Sequence, residues 1–431
     1  MKKFNTAPIS GAQELLPALQ AEFDRLKDGI AEVYARHGFL SIETPLIERT
    51  EVLLAKAGGD TEKQIYKVVK TAELADDADQ ALRFDHTVPL ARYTVEHLND
   101  LAFPFKATQI NRNYRGERAQ KGRFREFYQC DVDVIGWNNL PVAYDAEVIA
   151  TLCEAMKLLP LPGFVVRVSN RKLLSGLLAE LNLDHQASEI FDIIDHAEKV
   201  PAEKTMAALG DLGIGSENVV KITTFMNLQG SSEQVLPELR QFGFQNTVFQ
   251  EGIEELETVL SLLKDLAPEV EVVADMLIVR GLDYYTGTVF ETIVPDYRAI
   301  GSICSGGRYE NLASNYTDQV LPGVGGSIGL TRLFWILHEY GLVKPEELKP
   351  VDICLIPMSL HEVPAAARLA ESLRRQGRSV DLVLTEKKIG DKLKYAAKVA
   401  KYASVIGSSE VESGSYQLKD LESGTIETCK F

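Results

Sequence analysis

Five arginines stand in glycine-rich or extended contexts: Arg115, Arg123, Arg280, Arg308 and Arg332. Guanidinium groups converging from separate segments suit phosphoryl or nucleotidyl transfer, where the developing charge lies on phosphate oxygens. Any one of them alone is more often a surface or salt-bridging residue, so the case rests on the constellation. Around two of them the chain alternates with the two-residue period of a strand. Phe124, Tyr128, Cys130, Val132 and Val134 share one face, and Arg123, Arg125, Phe127, Gln129, Asp131 and Asp133 share the other. A face mixing arginine, aromatic, amide and carboxylate groups suits the lining of a charged-ligand site better than a core. Residues 112–125 also hold six basic side chains (Arg112, Arg115, Arg118, Lys121, Arg123, Arg125) and one acid, Glu117. Such a cluster either focuses the field on a polyanion or forms a solvated charged face.

Other chemistries lack their signatures. There is no GxxxxGK[ST], hence no P-loop. Gly323-Val324-Gly325-Gly326-Ser327-Ile328-Gly329 is one residue off the dinucleotide pattern and follows a proline; it suits close backbone packing where glycines open the helix Leu330–Tyr340. No GxSxG elbow or papain-like context supports a serine or cysteine nucleophile. The five cysteines are scattered without a CxxC, which argues against a disulfide framework or structural zinc. The seven histidines form no HExxH pair, so no protein-held metal is expected.

The elements that must position these residues divide the 431-residue chain into segments. Residues 18–37 space Leu19, Phe23, Leu26, Ile30, Val33 and Tyr34 as a helix closed by His37-Gly38, and Phe39–Ile42 then reads as a strand. A second helix follows Asp85 through Val88 to His97, and residues 104–136 form a long hairpin. From 170 to about 268 the sequence turns mostly helical, with apolar stripes at Leu173, Leu174, Leu177, Leu178, Leu181 and at Ile253, Leu256, Leu260, Leu263. β-like sequence resumes at Met276–Val279 and continues through Val289-Phe290. Residues 341–350, with Pro345 and Pro350, form a linker. Beyond it Ile353–Ile356, Ala365–Leu373, Val380–Leu384, Lys392–Tyr402 and Ser404–Ile406 alternate as β-α-β-α-β, a small α/β domain. The expected boundaries are a core in two parts (1–169 and 269–342), a helical insertion (170–268), a linker (343–350) and a tail domain (351–431).

Hydrophobic residues make up 45% and charged residues 25%, an ordinary globular balance, and no apolar run approaches the ~20 residues of a membrane span. The N-terminus has no apolar stretch of signal-peptide length, which makes the cytoplasm the default compartment. Net charge is −16, unevenly spread. The tail carries 12 Lys+Arg against 11 Asp+Glu, leaving 34 against 51 for the body.

These segments resemble the histidyl-tRNA synthetases over nearly the whole chain. His37–Glu48 is similar to class II motif 1, Asn113–Gly136 to motif 2 and Gly323–Leu333 to motif 3. Val279-Arg280-Gly281-Leu282-Asp283-Tyr284-Tyr285 resembles the first histidine-specific signature and Ser305-Gly306-Gly307-Arg308-Tyr309 the second. Lys387-Lys388-Ile389-Gly390-Asp391-Lys392 through Gly407 resembles the family's anticodon-binding domain. Neither HIGH nor KMSKS occurs, so class I is not supported. The resemblance implies an α+β fold: an antiparallel-sheet class II core with a helical insertion and a C-terminal α/β anticodon-binding domain. It also implies a homodimer built on motif 1, with L-histidine, ATP and tRNA(His) as partners, Mg²⁺ bridging phosphates and no membrane.

By the same resemblance, Arg280 and Arg115 are the catalytic arginines. Arg115 would grip the α-phosphate, and Arg280 would contact both it and the histidine carboxylate. Arg332 would hold the γ-phosphate and Phe127 would stack on adenine, with Glu117 and Arg123 completing the ATP site. Asp85, Thr87 and Gln129 would surround the α-amino group, while Asp133 and Tyr285, beside Tyr284, would meet the imidazole nitrogens. A carboxylate and a phenol satisfying both ring nitrogens could reject analogues by ~10⁴ or more. Gln120 in the motif 2 loop would touch the tRNA acceptor end, and Lys394, Lys398 and Lys401, on one face of a tail helix, either contact the anticodon arm or form a solvated face. The chain departs from the family where it carries Phe84-Asp85-His86-Thr87. Bacterial members typically have Pro-Glu-Gly-Thr there and another branch Asp-Leu-Thr. His86 contacts substrate or is a packed structural residue. The competing readings are a non-catalytic histidine-binding regulatory subunit, a sensor of uncharged tRNA, and a class II synthetase for proline, threonine or glycine. The intact tail and the LDYY and GGRY segments weigh against them.

Overall fold

The computed structural model describes residues 4–54, 62–72, 78–118, 122–279, 284–344 and 349–431. They fall into two compact units, one centred on residues 23–344 and the other on the C-terminal residues. The helix Pro17–Arg36 buries Phe23, Leu26, Ile30, Val33 and Tyr34, the stripe its sequence spacing predicts. Gly38, at φ +79°, turns the chain out of it. The long hairpin follows the sequence closely. Its arms are β5 (Phe105–Tyr114) and β6 (Glu126–Ile135), antiparallel with Asn113 opposite Phe127 and Ile110 opposite Cys130.

With β1 (Leu40–Ser41), β7 (Val165–Asn170), β8 (Gln229–Gly230), β9 (Glu271–Asp275), β10 (Thr288–Ile293), β11 (Cys304–Tyr309) and β12 (Gly323–Ile328), the arms build a nine-stranded sheet among the described residues. Its order is β1-β5-β6-β12-β11-β10-β7-β9-β8, while the short strands β2 (Ile47–Arg49), β3 (Lys67–Val68) and β4 (Gln80–Leu82) form a separate sheet in the order β2-β4-β3. Two pairs are parallel, β1 with β5 and β7 with β9; the rest are antiparallel. At the centre, glycines let β11 and β12 lie close: a Cβ on Gly306 would stand 2.1 Å from the Gly325 carbonyl oxygen. The glycine run of 323–329 therefore lies mostly on a strand, and the helix Leu330–Glu339 follows it.

The segment after residue 170 is helical as expected, with helices Arg171–Glu180, Ala187–His196, Ala202–Asp211, Ser216–Met226, Ser232–Gln241 and Thr247–Leu266. The first and last pack on one another so closely that a Cβ on Gly176 would meet the Phe249 backbone at 2.6 Å. One strand expectation fails. Met276–Val279 is not a strand, because the strand is β9 just before it. Asp275 ends β9 by taking the Leu277 amide on its side chain and the Ile278 amide on its carbonyl, which turns the chain. Buried Met276, Ile278 and Val279 supply the apolar run that resembles a strand.

The C-terminal unit holds β13 (Val351–Pro357), β14 (Val380–Leu382), β15 (Ala400–Ile406), β16 (Ser415–Asp420) and β17 (Ile426–Lys430), in the order β14-β13-β15-β16-β17. Alternation along β13 decides its layers. Ile353 and Leu355 pack under the helix Val363–Arg375, and Cys354 and Ile356 pack with Ala396 of the helix Ile389–Val399. That second helix is shorter than its sequence spacing suggested. It gives way at Ala400, already extended at φ −131° and ψ 154°, to β15, which pairs in parallel with β13. Lys401 accordingly sits on a strand, 3.7 Å from Asp352, and does not share a helix face with Lys394 and Lys398. Among the described residues no helix is long and apolar enough to cross a membrane.

Candidate active site

The sheet face formed by β6, β12, β11 and β10 carries two adjoining cavities. One, of about 440 Å³, is lined by Asp85, Thr87, Gln129, Asp131, Tyr284, Tyr285, Glu291 and Ser327 among others. The second, of about 310 Å³, is lined by Glu117, Arg123, Phe124, Phe127, Ser302 and Arg332. Arg115, Gln129, Ser305 and Ser327 line both, so the two are lobes of one cleft.

The first lobe is acidic. Asp85 lies just before the helix Thr87–Glu96, and its Oδ1 accepts the Val88 amide at 3.0 Å, as a helix-starting carboxylate does. Burial is the largest influence on it and raises its pKa above the ordinary aspartate value. Tyr284 and Tyr285 stand with ring centroids 5.0 Å apart, and burial pushes both phenols up. Asp133 is buried beneath the floor. Tyr309 donates its hydroxyl to Asp133 Oδ1 at 2.9 Å, and a Cβ on Gly325 would collide with that same oxygen. Burial, then the neighbouring Asp131 charge, raise Asp133 well above the usual carboxylate range. Asp133 therefore does not stand on the cavity wall, and the carboxylate of this strand that does is Asp131.

The second lobe is basic. Arg115 donates Nε to the Phe84 carbonyl at 3.3 Å, and its guanidinium lies 4.3 Å from the Phe84 ring centroid and 5.2 Å from that of Phe127. Those contacts hold the fork at the junction of the lobes, and among the described residues no ion pair consumes it. Arg332 donates to the Ser302 carbonyl at 3.3 Å. Burial, then the nearby Arg123 charge, lower its pKa from the arginine value. The Glu117 and Glu291 carboxylates offset part of that effect. Arg123 is exposed and pairs with Glu117 at 3.3 Å.

The cleft brings together Asp85, Thr87, Arg115, Glu117, Arg123, Phe127, Gln129, Tyr284, Tyr285 and Arg332. Arg280 and Gln120 lie outside the described residues. Two parts of the sequence reading need correction. The alternation along the second hairpin arm starts only at Glu126, so Phe124 lines the same lobe as Phe127 despite opposite parity. Arg308 is not in the cleft: 4% exposed, it forks onto Asp145 at 2.7 and 3.1 Å and donates to the Pro141 carbonyl. The sequence also passed over several wall residues. Ser327 lay inside the glycine run, and Asp131, though on the expected site-lining face, was given no role. Arg171, Phe191, Asp192 and Asp195 reach the wall from the helical segment, and nothing in a helix's spacing says which cavity it borders.

A two-lobed cleft on a mostly antiparallel sheet, followed by a separate α/β unit, is the build of a class II aminoacyl-tRNA synthetase. The family model for histidyl-tRNA synthetase matches residues 11–333 and that for an anticodon binding domain matches residues 352–431. The histidine–tRNA ligase of Clostridium tetani is 41% identical, over 99% of this chain and 97% of its own length. That of Stenotrophomonas maltophilia is 43% identical, over 98% and 94%. The crystal structure of histidyl-tRNA synthetase from Nostoc sp. PCC 7120 superposes with a TM-score of 0.84 at 37% identity, covering 99% of this chain and 97% of that one. The chain belongs to the histidyl-tRNA synthetase family.

Proposed function

We propose that this chain activates L-histidine with ATP and transfers the histidyl group to tRNA(His). The observation that carries the proposal is the division of one cleft into an acidic and a basic lobe that meet at Arg115. Histidine brings an ammonium group to the first and ATP brings phosphates to the second. The carboxylate of histidine attacks the α-phosphorus, the bond to the β-phosphate bridging oxygen breaks, and pyrophosphate leaves. No general base is required, because the nucleophile is already an anion. Positioning and charge stabilisation then account for catalysis. Arg115 holds the α-phosphate, and Arg280 shares it with the carboxylate. Arg332 takes the γ-phosphate, Phe127 stacks on adenine, and Glu117 and Arg123 complete the ATP site. Asp85, Thr87 and Gln129 bind the α-ammonium. Tyr285, beside Tyr284, meets the imidazole, and Asp133 acts on that side of the lobe from beneath the floor by holding Tyr309.

Among the described residues no group of three or more His, Cys, Asp or Glu side chains could hold a metal by itself. Mg²⁺ fits as an ion carried in on the phosphates, with Glu117 or Glu291 on the cleft wall as its protein carboxylate, a usual arrangement for that ion. It would neutralise phosphate charge.

We read residues 1–169 and 269–342 as the catalytic core, 170–268 as the insertion, 343–350 as the linker and 351–431 as the anticodon-binding domain. Gln120 is assigned to the acceptor end, and Lys394 and Lys398, both exposed, with Lys401 nearby in sequence, to the anticodon arm. The protein is proposed to act in the cytoplasm as a homodimer through the motif 1 segment, where Leu40, at 62% exposure, awaits a partner. A regulatory subunit is disfavoured by the matched anticodon domain. Charging tests the proposal. Labelled histidine should esterify a tRNA(His) transcript and no other tRNA. Histidine binding without charging would instead favour the regulatory role.

A further inference from the structure

Along the acidic lobe, a line of polar side chains joins Gln129 to residues that the proposed chemistry does not itself require. His86 is 0% exposed and Asp131 is 4% exposed, with His86 Nδ1 3.0 Å from Asp131 Oδ2. Neither ring nitrogen makes a well-directed hydrogen bond among the described residues. The His86 carbonyl accepts Gln109 Nε2 at 3.2 Å, which ties the residue to β5. Asp131 Oδ1 accepts a hydrogen bond from Ser327 Oγ, and Ser327 faces it across the β6–β12 pair. Gln129 Nε2 donates to Ser327 Oγ at 2.8 Å, and Asn113 Nδ2 donates to Gln129 Oε1 at 2.8 Å.

The direction of each bond in this line follows from the one before it. An ionised carboxylate only accepts, so Ser327 must spend its single proton on Asp131. Ser327 can then only accept from its other neighbour, which must be the NH₂ end of Gln129. The amide of Gln129 is thereby held with Oε1 turned away from Ser327. Oε1 takes the Asn113 donor on one lone pair and keeps the other for a ligand.

We infer that Asp131, backed by His86 and acting through Ser327, is a positioning residue that fixes the Gln129 amide so that its oxygen meets the ammonium group of the amino acid. This rests on the histidine-activating function proposed above. Without the anion, Ser327 can donate either way and Gln129 can present its NH₂ to a cationic ligand, a mismatch that weakens binding.

Calorimetry with three ligands tests the inference: histidine, histidinol (amine, no carboxylate) and the deamino analogue 3-(imidazol-4-yl)propanoate. Asp131→Asn and Ser327→Ala should each weaken histidine and histidinol about tenfold while changing the deamino analogue less than about twofold. The double variant should lose no more than the worse single, since both act on one amide. His86→Asn should weaken the amines about threefold; if it does not fold, the other two variants still decide. Equal losses for all three ligands, or losses that multiply in the double variant, would overturn the assignment. Failure of the wild-type protein to bind histidine would overturn the function instead, so the two outcomes are distinguishable.

Discussion

The two lobes of the cleft are built on opposite principles. In the amino-acid lobe the carboxyl groups are buried and each is tied to a neighbouring donor: Asp85 to the Val88 amide, Asp133 to Tyr309, Asp131 to Ser327. In the ATP lobe the arginines are held by carbonyls and ring faces, and Arg123 is open to water. A ligand of fixed shape with two ring nitrogens is best discriminated by groups that cannot move, because an unmatched buried group costs about 1–3 kcal/mol. A polyphosphate is recognised by charge and tolerates adjustable partners. Selectivity therefore belongs to the first lobe and charge stabilisation to the second.

The sharpest way to break this division is at the junction. Arg115→Ala should lower the kcat of adenylation by about 10³, the scale of a lost transition-state donor. Histidine affinity should stay within about twofold, and a matching loss of histidine affinity would place Arg115 in the amino-acid lobe. Next come paired substitutions that should act on one ligand each. Tyr285→Phe should raise the KM for histidine by about 10–100-fold, and Phe127→Ala should raise that for ATP by about tenfold, without crossover. Steady-state exchange kinetics with each substrate varied would expose any crossover.

Asp133 offers a smaller effect with a defined sign. Its folded pKa is raised, so the stability it contributes is present below its unfolded value near 3.8 and is lost as pH rises through the folded value. Above that unfolded value, ionisation of the carboxyl favours the unfolded chain. Asp133→Asn keeps the acceptor for Tyr309 and should raise Tm by roughly 2–4 °C at pH 8, with the gain shrinking as pH falls toward 5. A gain independent of pH would point to packing instead. Smallest of all, Lys394→Ala with Lys398→Ala should weaken tRNA binding a few-fold and flatten its salt dependence by up to about two. An unchanged salt slope would leave that helix face merely solvated.

How much of this was legible in the sequence depended on the kind of signal. The hairpin was legible because alternation over ten residues has few other readings, and it placed Phe127 and Gln129 correctly. The tail's β-α-β-α-β order was legible from its apolar runs. Its antiparallel β16 and β17 were not, since Ser415–Asp420 is largely polar and Ile426–Lys430 largely exposed. Lys401 was misplaced because a lysine spacing of four and three fits a helix whether or not the helix continues. The depth of Asp133 was invisible for a different reason. Strand parity gives the face a side chain occupies, while a glycine partner at 325 and a tyrosine at 309 decide whether it reaches the cavity.

The most direct measurement is amino-acid-dependent ATP–pyrophosphate exchange by the purified protein, with each standard amino acid tested separately. Exchange with histidine alone, abolished by Arg280→Ala in a folded protein, is the predicted result. Exchange with another amino acid would contradict the assignment of the acidic lobe, and no exchange despite histidine binding would contradict the activation chemistry.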